Sequence, residues 1–355
     1  MQIGIIGFPQ TGKRTLFRLL TGVDTNAAPQ NGPAVGISNV RDPRMDRLVG
    51  LYHPKKTTPT TIQYLLLPDM TQDSAGNQQL LKAIEKVDAI AHVVRAFAND
   101  AVFHLEGSVD ALRDVNHMHA ELILNDLIFV EKRLERLQKE LVRTNDEVKR
   151  KDQALMERCR AHLDQELPLR TMAGGSAEEE RALANYPLLT RKPVLIVLNV
   201  SEDAINDATL IAQVQERFKG QGVGVVQVSA KIEEELSQLD AAEREAFLKD
   251  LGIRESALDQ LTRVSHQTLG LIAYFTVGED EVRAWTIRRG ALAPEAGGAI
   301  HTDIARGFIR AELIKFDDLM RLGSEAAVQQ SGKAQLKGKD YLVEDGDILN
   351  FRFSV

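Results

Sequence analysis

Near the start of the chain, Gly7-Phe8-Pro9-Gln10-Thr11-Gly12-Lys13 matches G-x-x-x-x-G-K. Residues of these types at this spacing hold phosphate. The glycines let successive backbone N–H groups converge on anionic oxygens, and a following helix N-terminus favours negative charge. The lysine reaches the terminal phosphates. The motif then departs from its rule. The next position needs a Ser or Thr hydroxyl to bind Mg²⁺, and here it is Arg14. Thr15 follows, but one step along a helix turns a side chain by roughly 100°, away from the metal. A guanidinium is a fixed charge with no acceptor atom, so Arg14 cannot ligate the ion. It either fills the ion's space and neutralises phosphate itself, or it keeps nucleotide out. The bland alternative for the whole motif is a strand–turn–helix corner with no ligand.

Other chemistry-bearing residues read more plainly. The eight histidines are scattered. His117 and His119 stand two apart on an expected helix, so their side chains diverge and do not share a metal. His92 falls within an expected strand and reads as core. Cys159, the single cysteine, reads as an inert thiol rather than a redox sensor. Trp285 reads as core rather than a base-stacking platform. Asp69 and Asp73 offer carboxylates for a replacement metal site, but their spacing lends that no support.

The elements that must position these residues follow from hydrophobic patterning. Gln2–Gly7 reads as a short buried strand, and Leu16, Phe17, Leu19 and Leu20 mark the helix after the glycine turn. Strand, glycine turn and helix open an α/β nucleotide-binding domain. Apolar runs of strand length recur at Ile62–Leu67, Ala89–Val94, Val194–Leu198 and Val223–Val228. The last three have the continuous apolar character of parallel strands buried on both faces. From about Asn116 to Leu167 the period changes. Leu127, Leu134, Leu141, Val148 and Leu155 recur every seven residues, with Val130 and Leu137 between them. That spacing predicts a helical hairpin or short coiled coil. Within Glu131–Lys151 there are eight Lys/Arg and five Asp/Glu, so this arm is locally basic. Pro168 and Met172–Ser176 interrupt it. After Phe275, short strand-like segments and turn glycines predict a small α+β domain, with Leu349, Phe351 and Phe353 alternating against Asn350, Arg352 and Ser354.

Composition sets the outer limits. The 355 residues carry 44 Lys+Arg against 51 Asp+Glu, a net charge of −7, with 43% apolar residues. These values exclude a wholly disordered chain and binding of nucleic acid through overall positive charge. A single cysteine permits no internal disulfide, which fits a reducing compartment. No apolar run approaches the roughly 20 residues that cross a bilayer, and Met1–Gly7 lacks a signal peptide's basic region. The expectation is a cytoplasmic protein.

The chain resembles the YchF-type Obg-like ATPases, a branch of the translation-factor-related P-loop NTPases. The resemblance rests on segments in order along the whole chain. Besides Gly7–Lys13 they are Asp42-Pro43-Arg44, Pro54-Lys55-Lys56, Pro59–Ile62, Asp88–Arg95, Val130–Glu135 and Asn199-Val200-Ser201-Glu202. C-terminal matches are Gly278-Glu279, Glu281–Ile287, Ile300–Asp303, Gly307–Glu312 and Gly338–Tyr341. The fold implied is an α/β P-loop NTPase (a G domain) at residues 1–115 and 190–275. An inserted α-helical coiled-coil arm spans 116–189, and a C-terminal α+β TGS domain of β-grasp-like fold spans 276–355.

The resemblance also implies a site. Gly7 to Lys13, with Arg14 and Thr15, would cradle the phosphates of ATP, or of GTP. Guanine-specific relatives use Asn-Lys-x-Asp; the matching Asn199, Val200 and Glu202 follow the ATP-preferring pattern, and Ser229, Ala230 and Lys231 match the loop behind the base. The departures gather at the metal and the γ-phosphate. Besides Arg14, the first-switch threonine aligns near Gln30. The Asp of the third motif, Asp-x-Ala-Gly, becomes Leu66, and its glycine becomes Asp69. Substitution at three positions serving one ion implies weak or absent Mg²⁺ binding and impaired hydrolysis. The expected role is regulatory, in a monomer off the membrane. Ribosome or ribosomal RNA contacts would run through the basic arm and the TGS domain. The alternative is a nucleotide-independent interaction module for RNA or protein.

Overall fold

The structure, a computed structural model, describes residues 1–25, 33–71, 74–99, 101–142, 146–253 and 255–354; Gln30 and Asp73 lie outside them. The chain divides into two compact units: Met1–Ile37 with Gln63–Val264, and Ser38–Ile62 with Ser265–Val355. Strands are β1 (Gln2–Ile6), β2 (Ala34–Asn39), β3 (Lys56–Thr58), β4 (Thr61–Leu66), β5 (Ala89–Ala96), β6 (Val194–Val200) and β7 (Val223–Val228). All but β3 form one sheet in the order β2-β4-β1-β5-β6-β7. From β4 to β7 every pairing is parallel, with Ile5 opposite Leu66 and Ala91, and Asn199 opposite Arg95 and Val228. The apolar runs explain the placement: all seven residues of β6 are buried, as a central parallel strand covered on both faces requires.

Helix α1 (Lys13–Thr21) buries Lys13, Leu16, Phe17 and Leu20, one face of a 3.6-residue period. It stops where Gly22, at φ +71°, donates its N–H to the Arg18 carbonyl, a left-handed cap that glycine adopts without strain. Helices α2 (Pro43–Tyr52), α3 (Ser74–Glu85), α4 (Ala111–Leu141) and α5 (Glu147–Leu163) follow. Helix α4 runs 31 residues, about 46 Å, and its two halves do different work. Ala111, Val115, Met118 and Leu122 join the sheet core around Ile6, Ile90 and Ile196. Val130, Leu134 and Leu137 pack on Leu155, Met156, Cys159 and Leu163 of α5. No break falls at 116, where the patterning puts the start of the arm. Pairs Arg133–Asp152 and Glu140–Lys149 fix α4 and α5 as an antiparallel hairpin. The heptad row therefore ends at the turn: Val148 is 76% exposed, because the chain reverses after Leu141.

The second unit is built on β8 (Leu271–Thr276), β9 (Glu281–Arg288), β10 (Phe308–Lys315), β11 (Gln335–Lys337) and β12 (Asp347–Phe353), with sheet order β11-β10-β12-β8-β9-β3. Its membership departs from the expected boundary at 276. Residues 38–62 join it: β3 pairs in parallel with β9, and Met45 and Leu48 of α2 pack with Phe275, Val282, Ile314 and Ile348. Among the described residues no helix is long and apolar enough to cross a membrane.

Candidate functional site

The chain leaves β1 at Ile6 and turns through Gly7–Gly12 into α1. Backbone geometry demands both glycines. A Cβ on Gly7 would run into the Val93 carbonyl oxygen, and one on Gly12, at φ +88°, into Asn199 Nδ2. Gln10 is held at φ +63°, uncommon for a residue with a side chain. Thr11, 1% exposed, donates its hydroxyl to the Phe8 carbonyl at 3.2 Å. Gly12 occupies the N-cap position and provides no capping side chain. The first amides of α1 are thus left for an anion, at the positive end of the helix dipole.

Lys13 is 3% exposed. Its Nζ donates to the Phe8 carbonyl at 2.9 Å and forms an ion pair with Asp69. Burial pulls the ammonium below its ordinary pKa; Asp69 pulls it back up, and Arg14 adds to the depression. The segment carrying Asp69 is anchored on both sides: Leu67 N–H donates to Ile5 at 3.1 Å and Met70 N–H to Gly7 at 3.2 Å. Both flanking side chains are buried. Arg14 is exposed and Thr15 half-buried on the same turn.

Asn199, at the end of β6 and 3% exposed, joins the two halves of the expected site. Its Nδ2 donates to the Thr11 carbonyl at 2.9 Å, and its Oδ1 accepts from the Ala230 N–H at 3.0 Å. Val200 is buried beside it. Ser229 caps helix Ala230–Leu236 through the Ile232 N–H, and Lys231 pairs with Glu202, which raises the lysine's pKa. The structure thus brings Gly7–Lys13, Asn199, and Ser229–Lys231 with Glu202 into one connected network.

The residues at the metal positions do not suit Mg²⁺. Arg14 has no acceptor, and half-buried Leu66 offers only hydrocarbon. Among the described residues no group of three His, Cys, Asp or Glu is arranged to hold a metal.

Two contributors escaped sequence reasoning. Asp69 reads in the sequence as a replaced motif glycine or a metal ligand, not as the partner of Lys13, which stands 56 positions earlier in the chain. Arg95, 2% exposed, points its guanidinium at the carbonyls of Phe97, Asn99, Val102 and Phe103 at 3.1–3.3 Å. It thereby shapes the loop that lines a cavity of about 290 Å3 with Pro9 and Gln10. An arginine one residue from the end of a strand that is apolar but for His92 was the available signal. The plainer residues are mostly core. His92 is 1% exposed, with its pKa pushed down to about 3 by burial and by His119 and Lys13. Cys159 is fully buried and its thiol is pushed up to about 11 by burial. Trp285 is only half-buried, its ring edge donating to Thr276 at 2.9 Å and the Arg283 guanidinium lying over its face.

Known proteins with this architecture match the chain closely. Residues 271–354 match the YchF-GTPase_C family, described as a protein of unknown function (DUF933). The ribosome-binding ATPase YchF of Bacillus subtilis is 40% identical over 99% of both chains. Its namesake from Haemophilus influenzae is 38% identical over 99% of both. Among solved structures, the Schizosaccharomyces pombe YchF GTPase superposes with a TM-score of 0.85 at 32% identity, covering 99% of this chain and 97% of its own. A GTP-binding protein from Pyrococcus horikoshii shares the fold, with a TM-score of 0.62 at 18% identity.

Proposed function

The chain belongs to the YchF family, and on that premise we propose that it is a nucleotide-binding P-loop regulator associated with the ribosome, with impaired Mg²⁺-dependent hydrolysis. The observation that carries this is the Asn199 tie between the phosphate loop and the Ser229–Lys231 loop. It keeps a phosphate cradle and a base-binding corner in one preformed unit, while the metal positions hold Arg14 and Leu66. Phosphates rest on the backbone amides of Pro9–Thr15, less the proline, with the charge of Lys13 and Arg14 beside them. Adenine is preferred to guanine, since Asn199–Glu202 lacks the Asn-Lys-x-Asp pattern and Glu202 is engaged by Lys231. Phosphoryl transfer relies mainly on positioning and on charge neutralisation by the metal, so binding outlasts catalysis. Relatives named as ribosome-binding and the basic stretch of the hairpin arm support the ribosome as partner. One observation favours a nucleotide-independent interaction module instead: Lys13 already has a carboxylate partner.

Calorimetric titration of ATP, ADP and GTP, with Mg²⁺ and again with EDTA, decides between the two. Binding that persists in EDTA and is lost in Lys13→Ala is the expected result. No binding in either buffer gives the function to the interaction module, and robust Mg²⁺-dependent phosphate release refutes impaired hydrolysis.

A further inference from the structure

The ion pair at the bottom of the cradle has a consequence for which nucleotide fits. Lys13 has three N–H donors. Phe8 takes one, the Asp69 carboxylate another. The ammonium is buried, while the Asp69 side chain is 32% exposed, so the carboxylate covers the ammonium from the solvent side. It does so on a backbone held at Leu67 and Met70 to β1 and to Gly7 itself. Swinging Asp69 away by moving the segment means breaking those two hydrogen bonds and exposing two buried side chains. A lysine at this position serves the β- and γ-phosphates. A carboxylate paired with the same ammonium competes with any further anion brought to it. The competition grows with the number of phosphates that must approach Lys13, because the amides of the loop and the α1 N-terminus serve the inner phosphates independently.

We propose that Asp69 is a built-in anion that holds the place of the terminal phosphate at Lys13, making the site selective for nucleoside diphosphates over triphosphates. This rests on the nucleotide-binding reading above. The carboxylate also provides the negative charge that a buried lysine needs when no ligand is bound, so the empty cradle keeps its shape.

The test is calorimetric titration of ADP and ATP in EDTA into the full chain and into Asp69→Asn and Asp69→Gly. Asn keeps the size and removes the charge, whereas Gly also removes the side chain, and circular dichroism checks that both fold. The full chain should bind ADP at least tenfold more tightly than ATP. Asp69→Asn should tighten ATP tenfold or more and ADP by less than threefold, collapsing the ratio. Binding of ATP by the variants alone also supports the proposal, as release from a blocked site. An ADP-to-ATP ratio that is unchanged in both variants overturns the proposal while leaving nucleotide binding standing. Absence of binding by either nucleotide to any of the three proteins overturns both.

Discussion

Removing the Asn199 carboxamide tests whether the two loops form one unit. In Asn199→Ala the Thr11 carbonyl and the Ala230 N–H lose partners at 2.9 and 3.0 Å in a site only 3% exposed. Each backbone group left buried and unpaired costs about 1–3 kcal/mol. Together they predict a loss of roughly 2–6 kcal/mol, with the smaller figure if water enters the gap. At about 2–4 °C per kcal/mol for a unit of this size, the melting midpoint falls by roughly 4–24 °C. Asn199→Asp separates the two bonds. It keeps the acceptor for Ala230 and turns a carboxylate towards the Thr11 carbonyl, so it should be at least as destabilising as alanine. Urea denaturation followed by circular dichroism gives the free energies, and hydrogen exchange locates them. Exchange should rise together at Phe8–Lys13 and at Ala230–Glu233, with β5 unaffected. ADP affinity should fall about tenfold, since a cradle that must be ordered on binding binds less tightly. A loss below about 0.5 kcal/mol, or faster exchange in only one of the two segments, refutes the claim that Asn199 couples them.

Two further perturbations test buried polar groups around the site. Glu233, 4% exposed, accepts from the Ala257 N–H at 2.6 Å, and burial is the main cause that pushes its pKa from 4.5 up to about 7. A raised folded-state value stabilises fully below pH 4.5, and that contribution is lost as pH rises through 7; the interval corresponds to roughly 3 kcal/mol. Glu233→Gln should therefore be more stable than the parent by about 1–3 kcal/mol at pH 8 and no more stable at pH 4.5, in urea melts at each pH; equal stabilities at pH 8 refute this. Arg95→Met strands the four carbonyls that the guanidinium gathers, and should cost roughly 2–4 kcal/mol. Proteolysis and hydrogen exchange should increase at Val102–Leu105, next to Pro9 and Gln10; unchanged exchange there would show that the loop holds itself.

What the sequence makes legible is what local patterning controls. Continuous apolar runs mark β5 and β6 because parallel strands buried on both faces admit little else, whereas β7 has a similar run at the sheet edge with its first three residues only half-buried. The phosphate loop is legible because its glycines and lysine stand at a fixed spacing that local backbone geometry requires, with a left-handed φ at Gly12. Features made by distant partners are not legible. Strand β3 is Lys56-Thr57-Thr58, three residues that pair with Glu281–Arg283 and contact the Glu281 carboxylate through Lys56 and Thr58, and polar side chains leave no period to read. The face of α2 that buries Met45 and Leu48 gives no hint of which unit covers it. The seven-residue row failed at Val148 for a geometric reason: a repeat read along the chain continues through a turn, whereas a packed seam does not. Asp69 is visible as a replaced glycine, but its pairing with Lys13 depends on backbone bonds at Leu67 and Met70.

The same contacts bear on whether this protein switches. In P-loop switches, loops ordered by the γ-phosphate and its metal relax when the phosphate leaves. A ligand shifts a conformational equilibrium only through its differential affinity for the two states. At the third-motif segment of this chain, the anion facing Lys13 is part of the polypeptide, and the backbone on either side is already bonded to β1 and to the phosphate loop. A nucleotide arriving there finds the segment ordered and its lysine neutralised, so little differential free energy remains to move it. The metal positions add none, because neither Arg14 nor Leu66 can exchange an ion. If the chain binds nucleotide as proposed, these contacts predict that hydrogen-exchange protection at the phosphate loop and at residues 67–70 is similar with and without nucleotide, and a large nucleotide-dependent change there would refute it.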